Sequence, residues 1–329
     1  MGVAQGLVVK GTRDVVGQMF AYMVFKQLAF KVPETRLVQY GDAEFKKMIR
    51  RLQTCAHRDQ YVRVHLDREL DRPFLFVSEY IPNIPLSGMG NKRAVICFSY
   101  EHNFGMQRLN QIGEICAGDL LLNNSDRVPL IWETAGNSSS FLLGVSHVGI
   151  TADQVRDLDF TQVRFTAVYA TGSKAHCINR SDRDNFIGYM QRLERFLNDV
   201  FRDLEQILDG RQLSNFNFRS VLPVRDMIEG LTGVRLANGQ LFQVLKGLVF
   251  GLCKIVHVPD SGYEEIYEGV RQMAEEDWKG IWTEGMQAVS LDFILTAKEV
   301  IDRFISQYST EVAWVIRNID SDEAPLYFA

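Results

Sequence analysis

The sequence predicts an α+β protein in two lobes with a cleft between them. Strand-like segments crowd the first quarter, a Pro/Asn/Gly-rich stretch, "IPNIPLSGMGNK", starts at residue 81, and helical periodicity dominates from about residue 102. This places a strand-containing lobe at residues 1–82 and a larger helical lobe at 83–329.

"GLVVKG" (6–11) is a short strand carrying one lysine, Lys10. In 13–30, Val15, Val16, Met19, Phe20, Met23 and Val24 recur at helical spacing, with Thr12 or Asp14 to cap and Pro33 to close. "TRLVQY" (35–40) is a second strand, and 42–55 a helix with a basic face. "PFLFVSEYIP" (73–82) is a buried strand ended by proline, after which the linker begins.

The helix of "NFGMQRLNQIGEICAGDLLL" ends at Leu120–Leu122, and Phe141–Leu143 begins a strand. Between them lies "NNSDRVPLIWETAGNSSS", a polar loop in which Asn123, Asn124 and Arg127 can orient Asp126. An Asx-turn, with Asp126 capping backbone amides, accounts for the same composition. Further on, 184–208 is a long amphipathic helix with Phe186, Met190, Leu193, Leu197 and Val200 on one face. Helices follow around 240–256, 263–278 and 292–307.

Composition removes several function classes. The net charge of −5 supplies no global basic field for nucleic acid. The five cysteines form no CxxC pair and the six histidines no HExxH, which argues against a structural zinc site and favours a reducing cytoplasm. No apolar run reaches about 18 residues, so no integral membrane segment is expected.

Three residues in order carry chemistry: Lys10 in a strand, Asp126 on a loop and Asp159 in "VRDLDFTQV". Phosphoryl transfer uses such a series, in which a lysine grips phosphates, a loop carboxylate receives the acceptor proton and a later carboxylate holds Mg²⁺. Taken singly, a strand lysine snorkels and a loop aspartate caps. "GLTGVRLANG" (230–239) lacks a Walker lysine and is a turn; "KKMIRR" (46–51) is a solvated helix face; His147 has no neighbouring nucleophile elbow. Cys116 and Cys253 are core thiols, and core packing accounts for the four tryptophans.

"GDLLLNNSDRVPLIW" followed by "GN", together with "VVKG" and "QMFAYMVFKQLAFKVPETRLV", resembles the actin-fragmin kinase catalytic domain. This is an atypical branch of the protein kinase-like fold, related to phosphoinositide kinases. The resemblance spans residues 7–165 and continues through "LTGVRLANGQLFQVLKGLVFGL" (231–252), with DR-x-P-x-x-W its most specific part.

The resemblance implies ATP and Mg²⁺ as cofactors and transfer to Ser/Thr of a protein, with actin as candidate acceptor. Lys10 would contact the phosphates, Asp126 serve the acceptor hydroxyl, and Asp159 hold metal with Asn137 or Ser140. Glu79, Tyr80 and Ile81 would form the adenine hinge. Three features depart from the family: Gln18 replaces the glutamate that pairs with the lysine, Ser140 replaces a metal-binding Asn, and only nine residues precede Lys10, too few for the full glycine-rich hairpin, so either the chain is truncated or the lid is absent. They support an alternative, a nucleotide-binding module with little transfer. A phosphoinositide or small-molecule kinase would need a basic cleft rim, for which helix 42–55 is the only source.

Overall fold

The structure, a computed structural model, describes residues 6–12, 14–57, 59–99, 104–146, 164–210, 213, 216–273 and 279–319. Its first part runs β1 (Leu7–Gly11), α1 (Val15–Gln27), β2 (Thr35–Gln39), α2 (Ala43–Ala56), α3 (Gln60–Leu70) and β3 (Phe74–Glu79). The three strands form an antiparallel sheet in the order β1-β3-β2. Lys10 and Leu37 both stand opposite Phe76, and Val8 and Thr35 both opposite Ser78.

Alternation along β3 builds two cores from one strand. Phe74 and Phe76 face the main core, while Leu75 and Val77 join Val38, Phe45 and Leu70 in a small core under α2 and α3. The same alternation turns Val9 toward the small core and leaves Val8 and Lys10 on the opposite face.

The stretch expected as a linker is ordered structure. It forms β4 (Asn83–Pro85), a 3-10 turn at Leu86–Gly88 and the start of α4 (Gly90–Phe98). Ile84 and Leu86 are buried and anchor it; Pro85 is tolerated because β4 is an edge strand. With β5 (Phe141–Ser146) and β6 (Arg164–Ala170), β4 makes a second antiparallel sheet in the order β4-β5-β6.

The helical body comprises α5 (Gly105–Leu122), α6 (Arg183–Leu208), α7 (Leu222–Thr232), α8 (Asn238–His257), α9 (Asp260–Arg271), α10 (Lys279–Met286), α11 (Leu291–Gln307) and α12 (Ser309–Asn318). The five residues expected on one face of α6 are all buried. Helix α8 is long and apolar enough to cross a membrane by length and composition alone, but most of it is buried inside the protein. It lies against α5, and glycines at the contact bring the backbones together: a Cβ on Gly247 would stand 1.9 Å from the Asn110 carbonyl oxygen, and one on Gly113 2.1 Å from that of Val244.

Helix α1 is buried almost all round and packs on α9 and α10. It ends in a left-handed turn at Ala29, before Pro33 is reached, closed by a bond from Phe30 N–H to Phe25 O (2.9 Å). The helical body therefore holds α1, while the sheet beside it rests on its own small core.

Candidate functional site

A cleft of about 490 Å³ opens between the two sheets, within the range of small-molecule sites. Val8, Val32, Phe76, Ile81 and Leu142 give it apolar walls. Its polar lining comprises Lys10, Gln18, Asn137, Ser139, Ser140, Thr171 and Ser173. Seven of the nine residues singled out in the sequence line this one cleft: Lys10, Gln18, Glu79, Tyr80, Ile81, Asn137 and Ser140.

The segment Glu79–Ile81 carries the chain from the first sheet toward the second. Glu79 N–H donates to Glu34 O (2.8 Å), Tyr80 N–H to Gly6 O (2.9 Å), and Asn83 Nδ2 to Ile81 O (2.7 Å). Ile81 N–H bonds to no described residue.

Lys10 is exposed along the cleft wall and forms no ion pair among the described residues. Gln18 does not reach for it; its Nε2 donates to Thr12 Oγ1 (2.9 Å), and both side chains are buried. The ion pair near this end is elsewhere. Lys174, just past the cleft, meets Asp14 at the start of α1 (3.2 Å), and Ala175 N–H donates to Gly17 O (3.1 Å). Asp14 caps no backbone amide of α1, in contrast to the expected capping role.

The loop after α5 is fixed from below. Asn123 ends the helix in the left-handed region (φ 52), which asparagine tolerates better than most residues. Its Oδ1 accepts from Trp132 Nε1 (2.7 Å), and its Nδ2 donates to His176 O (2.7 Å). Asn124 Nδ2 donates to Asp119 Oδ1 (2.7 Å), the atom that also pairs with the Arg127 guanidinium. Arg127 and Asp119 are wholly buried. Burial pushes the Asp119 carboxyl above the usual carboxylate range, against the pull of Arg127.

The guanidinium also donates to Ser140 O (3.3 Å), Thr171 O (3.1 Å) and Ser173 Oγ (2.6 Å), and lies between the rings of Phe25 and Phe141. Arg127 thus supports the cleft floor rather than orienting Asp126. Asp126 itself is exposed, hydrogen-bonds to no described residue and is not part of the cleft lining. It adjoins the floor through the next residue, whose carbonyl accepts from Asn137 N–H (3.2 Å).

Asp159 and His147 lie outside the described residues. The register of β5 with β6 runs from Phe141↔Ala170 at the cleft to Ser146↔Arg164 at the other end. The residues that follow β6 into the cleft are Thr171, Gly172 and Ser173, and the sequence reading missed them. Their signal was faint: three small residues after an alternating strand. Asn137 Oδ1, the atom through which an amide ligates metal, already accepts from Ser139 N–H (3.1 Å) and Ser139 Oγ (2.6 Å). Among the described residues there is no group of three acidic, His or Cys side chains placed to hold a metal ion.

Two proteins of Dictyostelium discoideum, both provisionally named actin-fragmin kinases, are similar to this chain. Each is 22% identical over 92% of it. The chain spans 66% of the length of one and 64% of the other, so each relative is about half as long again. Residues 3–252 match the family described as actin-fragmin kinase, catalytic, a span that contains both sheets, the cleft and the α5–α8 packing. On this match the chain belongs to the actin-fragmin kinase catalytic family, and its two-lobed α+β architecture is kinase-like.

Proposed function

We propose that the chain is a cytoplasmic ATP-dependent phosphotransferase that passes the γ-phosphate to a serine or threonine of a protein, with actin as the acceptor to test first. One observation carries this reading: a single cleft between the two sheets combines apolar walls with a lysine, an amide and several hydroxyls. Adenine fits the apolar walls beside Ile81 N–H, and the phosphates fit beside Lys10.

Lys10 offsets phosphate charge, and Asp126 receives the acceptor's hydroxyl proton at the exposed rim. Most of the rate gain comes from holding the two reactants in line, because phosphoryl transfer asks little covalent chemistry of the protein. The family implies a divalent cation as well. Asp159, which the resemblance assigns to hold it, lies outside the described residues, and Asn137 Oδ1 is engaged by Ser139. No step is therefore routed through a metal.

A second reading, a nucleotide-binding module with little transfer, is favoured by one contact: Gln18 bonds Thr12 and leaves Lys10 without the carboxylate that would aim it. Label transfer from γ-labelled ATP to actin, and to a generic protein acceptor, separates the two. Phosphotransfer that drops about 100-fold or more in Asp126→Ala, with ATP binding retained, is expected of the enzyme. Binding without transfer in the wild type would establish the module, and transfer unchanged in the variant would remove Asp126 from its role.

A further inference from the structure

We infer that the acceptor protein docks an apolar side chain, close in its sequence to the phosphorylated Ser or Thr, into a second cavity beside Asp126. This deepens the proposed function and rests on its reading of Asp126 as the residue that serves the acceptor hydroxyl. The carrying observation is that the loop bearing Asp126 also forms one wall of this cavity and then runs on into the nucleotide cleft.

The cavity, about 590 Å³, opens between the loop after α5 and helix α7. Pro129, Ala135 and Gly136 line it from the loop. Both chain neighbours of Asp126 are bonded beside that wall. Ser125 O accepts from Thr134 Oγ1 (3.0 Å), one residue before Ala135, and Arg127 O accepts from Asn137 N–H (3.2 Å), one residue after Gly136. Gly136 takes a positive φ (69), and a Cβ there would stand 2.9 Å from Arg127 O, so the two arms of the loop meet closely. The same arm passes from one site to the other: Ala135 and Gly136 line this cavity, and Asn137 lines the nucleotide cleft. Transfer between a bound nucleotide and a bound acceptor needs the two held side by side in this way.

The opposite wall explains the chemistry of the occupant. Helix α7 carries two apolar rows at four-residue spacing. Val224, Ile228 and Thr232 are buried in the core. Pro223, Met227 and Leu231, each one position earlier, are partly buried and line the cavity. The carboxylate of the described lining, Asp226, pairs with its neighbour Arg225 (2.7 Å), so what the walls offer is apolar surface. A segment that presents its hydroxyl to Asp126 must pass this surface, because an extended chain advances only about 3.3–3.6 Å per residue. An apolar side chain a short distance from that hydroxyl is the group that fits.

The test is phosphate transfer from γ-labelled ATP to an array of Ser and Thr peptides in which each flanking position is varied in turn. The inference expects Leu, Met or Phe at one fixed offset from the hydroxyl to be favoured over Ala by about tenfold or more in kcat/KM. Gly230 is exposed and lines the cavity, and a Cβ there meets nothing within 4 Å. Gly230→Phe should therefore fill the cavity and erase the preference, while the KM for ATP stays within about twofold of wild type. Gly230→Ala, which leaves the cavity open, should keep the preference. Transfer without an apolar preference, or a preference that survives in Gly230→Phe, would overturn the inference and leave Asp126 and the nucleotide cleft in their roles. Absence of transfer by the wild type to every peptide and to actin would overturn the phosphotransferase reading, and this inference with it.

Discussion

Arg127 and Asp119 form an ion pair in which neither side chain is exposed to water. The pair joins the end of α5 to the loop after it, and its remaining donors reach Ser140, Thr171 and Ser173, so one guanidinium ties three segments of the cleft floor together. Removing one partner strands the other charge in the core. Arg127→Met should cost about 3–5 kcal/mol in urea unfolding, whereas Asp119→Leu combined with Arg127→Met should recover much of that loss. A double variant as unstable as the single one would show that the contacts to the floor, and not the charge balance, hold the structure.

Ala29 occupies the left-handed turn after α1 with an exposed side chain. Glycine adopts that conformation without the Cβ penalty, and little packing is lost. Ala29→Gly should therefore raise stability by about 0.5–1 kcal/mol, read as a shift in the unfolding midpoint at constant m. An unchanged or lowered midpoint would contradict the assigned backbone geometry.

Gly247 allows α8 to approach the α5 backbone at Asn110. Gly247→Ala should destabilise by about 2 kcal/mol or more, because the helices would have to separate along a buried seam. Gly210→Ala is the control for glycine replacement in general: a Cβ there meets nothing within 4 Å, and its cost comes only from its own positive φ (91). Equal losses in the two variants would refute the close approach.

The cysteines offer a check on burial in solution. Burial pushes the thiols of Cys97 and Cys253 up to about 12, whereas Cys55 is exposed. At pH 8 the native chain should show fast alkylation at Cys55 alone, and denaturant should release the others. Rapid labelling of Cys97 without denaturant would mean that α4 opens readily.

Elements with a strong apolar period were legible in the sequence. Helices α1, α5, α6 and α8 and strands β3 and β5 carry runs that belong in a core, and the structure buries them. Helix α3 was not legible, because Leu70 is its one fully buried residue and its polar sequence shows no stripe. Helix α4 was hidden by the prolines and glycines before it, which resemble punctuation although Ile84 and Leu86 anchor the stretch.

The cleft was partly legible, since the resemblance grouped Lys10 with Glu79–Ile81 and the "GNSSS" turn, whereas chain order grouped it with Asp126, which does not line the cleft, and with Asp159, which lies outside the described residues. The Arg127–Asp119 pair left no trace, as Asp119 interrupts an apolar helix end and nothing in the sequence names its partner. Thr171–Ser173 were equally silent: neutral residues become informative only when folding sets them beside Lys10.

The shared strand β3 has a bearing on evolution as well as on folding. Side chains leave a strand on alternate sides, so inserting or deleting one residue in "LVVKG" would turn Lys10 toward Leu75 and Val77 and send Val9 into the cleft. Gly11 guards against such a slip, because its N–H donates to Glu69 Oε2 (2.6 Å) and it meets α3 too closely for any larger residue. Length changes should therefore be tolerated in the turns around this strand and purged within it, making odd and even positions of five residues separate inheritances, one for the small core and one for the cleft.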